Sequence, residues 1–304
     1  MPLETEKFVR YEFLGEKDDA SRLEFRALED CSALDLALST GMSRRSAARA
    51  FQGAELTRGG EALAASSRLA VGDVVDVALA RQAAMPTPPD VPSATIIYQD
   101  SVCLAVEKPA GILVHGDGTC APTLTDRVRV SLARQGVAAN PQAVQRLDVD
   151  TTGLVLFSLA EEFQPAFDAL VAGHAMRKRY LAEVSGAFPG DVTAIEKPIG
   201  RDRHDARRMR VCRPGQGQPA LTRVRVLERR GNRTLLLVEL GTGRRHQIRV
   251  HLSSLGFPIV GDTLYGGRRD PRGLMLHALE EEFDHPVSGA HVLLRTEVPE
   301  RFRA

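Results

Sequence analysis

Arg146, Asp148 and Asp150 fall in one short polar stretch, closed by Thr151-Thr152-Gly153 and followed by an apolar run over 154–157. The run reads as a buried strand. A carboxylate set against the start of such a strand is held rigidly and loses part of its hydration, which suits a reactive acid. The same residues also fit a plain polar loop, with Asp148 or Asp150 bonding turn amides. Asp148 and Asp150 would further serve as the only nearby carboxylate pair for a glycoside-type hydrolysis. The stretch alone leaves these readings open. His246 and His251, at i and i+5, do not share one helical face as an i, i+4 metal pair does, and they are read as hydrogen-bonding core residues.

The elements that must position these groups form two blocks. Residues 1–32 are acidic, with short strands expected at 9–14 and 23–28 around a turn at 15–21. Over 33–80 a helical pattern begins at Leu34, Leu36 and Ala37, and Ser43 is placed to cap a second helix running to Phe51. A Gly-Gly turn at 59–60 follows, then Gly72-Asp73 feeding the strand Val74-Val75-Asp76-Val77. Residues 81–93 hold four prolines and no apolar period, which describes a semi-extended linker. From 94 to 304 the chain reads as one further domain. Strands are expected at 96–98, 104–106, 179–184, 221–228 and 234–240, with helices at 122–135, 161–173 and 246–255.

Hydrophobic content of 43% and charged content of 26% are those of a globular protein. No apolar run approaches the roughly 20 residues of a membrane span. The first residues lack the basic-then-apolar order of a signal peptide. Cys31, Cys103, Cys120 and Cys212 are scattered without a C-x-x-C pair, so neither a disulfide framework nor a zinc site is indicated, and a reduced, cytoplasmic setting is expected. The net charge of +1 hides strong segregation. Residues 201–233 carry eleven arginines against three acids, a balance of +8, whereas residues 1–32 stand at −4 and 279–304 at −3. One basic face of this kind suits phosphate groups.

Several blocks carry a family resemblance. Gln145-Arg146-Leu147-Asp148-Val149-Asp150-Thr151-Thr152-Gly153-Leu154 resembles the catalytic motif H-R-L-D-x-x-T-S-G-L of the RluA/RluC/RluD group of pseudouridine synthases, with Gln145 at the His and Thr152 at the Ser. Lys108-Pro109-Ala110-Gly111-Ile112-Leu113-Val114-His115 resembles N-K-P-x-G-x-x-V-H, with Glu107 at the Asn. The segment 177–186 resembles the K-x-Y-x-A-x-V-x-G strand, and Pro198-Ile199-Gly200-Arg201, continuing to Arg208-Met209, resembles P-I-G-R. Residues 241–252 resemble T-G-R-T-H-Q-I-R-V-H-L, with Arg245 at the Thr, and 274–294 resemble the closing pair of strands. The blocks stand in family order. More loosely, 33–80 resembles an S4 RNA-binding module, its usual V-x-V-N-G strand and turn replaced by Ala54-Glu55-Leu56-Thr57-Arg58-Gly59-Gly60.

The resemblance implies an α+β enzyme built on a mixed, mostly antiparallel sheet, with a small S4-like module before it. It implies isomerisation of uridine in RNA with no cofactor and no metal. Asp148 would be the reactive carboxylate, Arg249 its partner, and Tyr180 the residue that packs on the target base and takes the C5 proton. Arg146 would fill the stack left by an extruded nucleotide. Ile248, Arg244, Arg201 and Arg208 are the further expected RNA contacts of the catalytic part, with Arg44, Arg45 and Arg49 those of the module. Large-subunit ribosomal RNA is the expected partner, transfer RNA the alternative. The expected state is a monomer, without membrane or nucleotide cofactor.

Overall fold

The structure, a computed structural model of the 304-residue chain, describes residues 9–17, 21–80, 90–118 and 121–303. Its first part is a small antiparallel sheet with two helices. In chain order these are β1 (Tyr11–Lys17), β2 (Arg22–Ala27), β3 (Cys31–Ser32), α1 (Ala33–Ser39), α2 (Arg44–Gln52), β4 (Leu56–Arg58), β5 (Glu61–Ala62), β6 (Arg68–Leu69) and β7 (Val74–Ala78). The sheet order is β1-β2-β7-β4-β5. Both helix starts follow from local chemistry. Ser32 and Asp35 form a capping box on α1, and the Ser43 side chain accepts from the Ser46 amide at α2. The expected turn at 15–21 is shorter than anticipated. Gly15 stays in β1 beside a bulge and Lys17 already pairs with Arg22, whereas residues 18–20 of the expected turn lie outside the described residues.

The second part holds β8 (Thr95–Gln99), β9 (Cys103–Lys108), α3 (Leu124–Arg134), β10 (Gln142–Ala143), β11 (Thr152–Ser158), α4 (Gln164–Ala172) and β12 (Arg177–Ser185). It continues with β13 (Val192–Glu196), β14 (Ile199–Arg201), β15 (Met209–Val211), β16 (Leu221–Arg230), β17 (Arg233–Leu240), α5 (Gln247–Ser254), β18 (Leu276–Asp284) and β19 (His291–Arg295). A ten-stranded sheet runs β13-β16-β17-β12-β18-β11-β9-β8, with β10 beside β11 and β19 beside β18. It is mixed and mostly antiparallel, as expected, and β11 with β18 is the parallel pair. That pairing joins the two halves of the sheet. It needs Gly153, whose φ is +111° and where a Cβ would lie 2.1 Å from the Ala278 carbonyl oxygen.

Helix α4 starts at Gln164, three residues later than its pattern suggests. Glu162 is buried, and its carboxylate accepts from the Ala80 amide, so it is engaged by the preceding module rather than by a helical turn. Most of the proline-rich connection, 81–89, lies outside the described residues. The two parts share a core. Leu23, Phe25, Leu36 and Val75 of the small sheet belong to one apolar cluster with Leu154, Phe163, Phe167 and Val287. A second cluster unites α5 with β12, β16 and β17 through Ile248, Leu252, Tyr180, Val224 and Leu236. Among the described residues no helix is long and apolar enough to cross a membrane.

Candidate active site

The loop between β10 and β11 carries Asp148, and two anchors, one partly and one wholly buried, fix it. Leu147 packs against both the cluster under α5 and the one between β11 and α3. Lys108, wholly buried at the end of β9, donates to the carbonyl oxygens of Pro109, Val149 and Thr151 at 2.9, 2.7 and 2.9 Å. Two of these carbonyls flank Asp150, so the ammonium clamps the segment just after Asp148. Burial lowers the Lys108 pKa to about 8, against the opposing pull of Asp150 and Asp148. The Thr152 hydroxyl pairs with His277 Nδ1 at 2.8 Å and ties the loop's end to β18.

Asp148 itself is partly open, its side chain 22% exposed. Its Oδ2 accepts from Arg249 Nη1 at 2.9 Å. Arg249 is the third residue of α5, and its remaining nitrogens are held by Asp262. Nε and Nη2 donate to the two Asp262 oxygens at 2.7 and 2.8 Å. Burial works against the guanidinium charge, but Asp262 and Asp148 outweigh it, and the Arg249 pKa is raised. Asp262 is presented by a turn that requires Gly261, where a Cβ would lie 2.0 Å from the Gly273 carbonyl oxygen. The Tyr265 ring lies 5.0 Å from the Arg249 guanidinium and 5.5 Å from that of Arg208.

His246 precedes α5 in the left-handed conformation, φ 56°, which few non-glycine residues adopt. Its Nδ1 meets the Tyr265 hydroxyl at 2.7 Å and its Nε2 lies 3.7 Å from Asp148 Oδ1. Burial lowers its pKa, with Arg249 and Arg245 adding to the effect and Asp148 opposing it. The expectation of a core role for His246 therefore needs extending: it also borders the site. His251 is a core residue, bonded to Thr222 and to the Lys197 carbonyl. Tyr180 is buried on β12, and burial, then the charges of Glu281 and Asp148, raise its pKa, so the phenol stays protonated.

The other expected residues are distributed unevenly. Arg146 is exposed beside Asp148, and Ile248 is buried next to Arg249, in one cluster with Tyr180. Arg208 comes to the site through Tyr265. Arg244 bonds the Pro219 carbonyl, and Arg201 is exposed on β14, opposite Met209 of β15. Arg44 and Arg45 are exposed on α2, on the separate module. Arg49 is paired with Glu161, in the loop before α4, at 2.8 Å, and so contacts the second part of the chain. Asp150 is exposed.

Sequence reasoning passed over Asp262, Tyr265 and the clamp made by Lys108. A buried arginine facing one carboxylate keeps donors in hand, and that surplus is the signal for a second acid such as Asp262. Away from the site, Asp100, Cys103 and His285 form a cluster that the cysteine spacing did not suggest. His285 Nε2 is 3.3 Å from Asp100, and His285 Nδ1 accepts from the Val287 and Ser288 amides.

The family model described as RNA pseudouridylate synthase matches residues 102–254. The uncharacterized RNA pseudouridine synthase YlyB of Bacillus subtilis is 34% identical over 247 residues, covering 79% of this chain and 81% of that protein. Ribosomal large subunit pseudouridine synthase D of Zymomonas mobilis is 32% identical over 74% of this chain and 75% of its own length, and that of Xanthomonas campestris 38% over 70% and 68%. The solved structure of human RNA pseudouridylate synthase domain containing 1 superposes with a TM-score of 0.59 at 28% identity, covering 70% of this chain and 87% of that one. The chain therefore belongs to the RNA pseudouridylate synthase family, in its RluA/RluD-type branch, and is an RNA pseudouridine synthase, an isomerase of uridine in RNA.

Proposed function

We propose that this enzyme isomerises uridine in large-subunit ribosomal RNA with Asp148 as the nucleophile. The observation that carries the assignment is the 2.9 Å bond from Arg249 to Asp148, in a guanidinium already oriented by Asp262. The reaction breaks the N1–C1′ bond of uridine, turns the base, forms C5–C1′, and moves a proton from C5 while N1 regains one. The atoms balance without a co-reactant. The step needs an ionised carboxylate beside the sugar and ring, which a buried cation favours.

Tyr180 is suited to pack on the base and take the C5 proton. Its protonated phenol can accept that proton only while passing its own to a carboxylate, so Tyr180 acts as a relay. Arg146, exposed two residues from Asp148, is placed to enter the stack that an extruded uridine leaves. Arg208 and the basic segment 201–233 supply phosphate contacts, and the S4-like module adds Arg44 and Arg45. Ribosomal RNA is favoured because the relatives named above as synthase D carry the large ribosomal subunit in their names.

The test pairs one variant with one map. Asp148→Asn should fold and bind RNA but form no pseudouridine; product formed by the variant overturns the assignment. Mapping pseudouridine in ribosomal and transfer RNA from a strain lacking the protein should show loss in large-subunit RNA. Loss confined to transfer RNA would replace the substrate.

A further inference from the structure

Gln145, three residues before Asp148, reaches across to β18. Its Nε2 donates to Glu281 Oε1 at 2.5 Å. The other two oxygens of this pair, Gln145 Oε1 and Glu281 Oε2, are both buried and have no hydrogen-bond partner among the described residues. Buried acceptors left this way lose their hydration without compensation. A single proton on Glu281 Oε2 changes the count: an acid hydroxyl and a carboxamide form a ring of two hydrogen bonds, each group donating once and accepting once.

We propose that Glu281 is a positioning residue of the active site, held as the neutral acid and clasped by two hydrogen bonds to Gln145, so that the loop bearing Asp148 is fixed to β18. The idea rests on the reading of Asp148 as the nucleophile. The clasp lies on the opposite side of Asp148 from the Lys108 clamp in sequence, so the reactive residue sits between two fixed points.

The surroundings favour the neutral form. Glu281 is 1% exposed. On β12 its register partner is Lys178, and Tyr180 lies two residues further on; on β19 its partner is the apolar Leu294. Burial raises the Glu281 pKa to about 7, with Lys178 and Gln145 pulling the other way. As the pH rises through that value the carboxyl loses its proton and the second bond of the clasp. Lys178 then offers the ionised form a counter-charge, and the loop is held by one bond instead of two.

Three variants and one spectrum decide it. Glu281→Gln can still make both bonds, because a second carboxamide donates where the acid did. Glu281→Gln should keep kcat and lose the alkaline fall in activity near pH 7. Glu281→Ala should lower kcat by on the order of tenfold or more with KM little changed, since small displacements of a reactive group are costly. Gln145→Glu, which sets two acids face to face, should behave like Glu281→Ala above neutral pH. In infrared difference spectra between acid and alkaline pH, the wild type should show a protonated carboxyl band that Glu281→Gln lacks. That spectrum needs no substrate, so it separates failure of the clasp from failure of the Asp148 reading. Identical pH profiles for wild type and Glu281→Gln, or a spectrum without the band, overturn the proposal.

Discussion

Asp262 holds Arg249 through two nitrogens, at 2.7 and 2.8 Å, and thereby aims the third at Asp148. The guanidinium is thus less a partner of one acid than a rigid bridge between two. Asp262 lies buried and Asp148 partly open, so the bridge runs from the core to the substrate side. Replacing Asp262 by Asn should leave Arg249 free to rotate and lower kcat on the order of 10²-fold with little change in RNA affinity. Replacing it by Ala breaks a buried ion pair and should cost about 3–5 kcal/mol of stability as well. Steady-state kinetics and urea unfolding of both variants are the measurements; equal kcat in Asp262→Asn and wild type would show that the bridge is not needed.

Lys108 offers a test through proton linkage. Its pKa in the folded chain, lowered by burial to about 8, lies below its ordinary value of 10.5. Between those values the unfolded chain binds more protons than the folded one, so stability rises with pH across the window and is unaffected by this group below it. Lys108→Met removes the titration but keeps the bulk. Wild type should therefore gain on the variant by up to about 3 kcal/mol between pH 8 and 10.5. Urea midpoints measured at several pH values would show it, and a constant difference would refute the lowered pKa. The variant should also lose activity, because Val149 and Thr151 lose the donor that holds them.

What the sequence revealed and what it withheld divide along physical lines. Features governed by near neighbours were legible: the Ser43 cap, and the buried strand over the apolar run at 154–157 with the break before it. So was the pairing of Asp148 with Arg249, through the family resemblance. Long-range choices were not. Nothing local says that β11 should lie parallel to β18, or that Gly153 is needed for that approach. Asp262 sat in an unremarked turn because its importance depends on α5 lying over it. Arg49 looked like a phosphate contact because its partner, Glu161, is 112 residues away. Glu281 stood in a run of three acids at 280–282, which in sequence resembles a solvated face. On β18 only a neighbour pairing explains why Glu281 is buried.

Tyr180 separates binding from chemistry. Tyr180→Phe keeps the ring, the packing in the α5 cluster and the proposed contact with the base, and deletes only the hydroxyl. Loss of a positioned proton-transfer group typically lowers rates about 10²–10⁴-fold. The variant should bind RNA as the wild type does while releasing tritium from C5-labelled uridine far more slowly. Because the phenol is protonated at every working pH, the wild-type profile should carry no limb from Tyr180 itself. Normal tritium release by Tyr180→Phe would remove the residue from the proton path.

Arg208 tests whether the basic insertion acts at the site or only near it. Its guanidinium stacks 5.5 Å from the Tyr265 ring, whose other cationic neighbour is Arg249. A phosphate bound by Arg208 would therefore stand close to the target nucleotide. Arg208→Ala should raise KM, leave kcat nearly intact, and reduce the slope of log affinity against log salt by about 1. Arg208→Lys should restore the salt slope, since the charge returns, but not the full affinity, since an ammonium lacks the flat guanidinium that stacks over the Tyr265 ring face. The double substitution of Arg44 and Arg45 by Ala should shift affinity without touching kcat. RNA binding measured from low to high salt distinguishes these cases, and an unchanged slope in Arg208→Ala would confine Arg208 to packing on Tyr265.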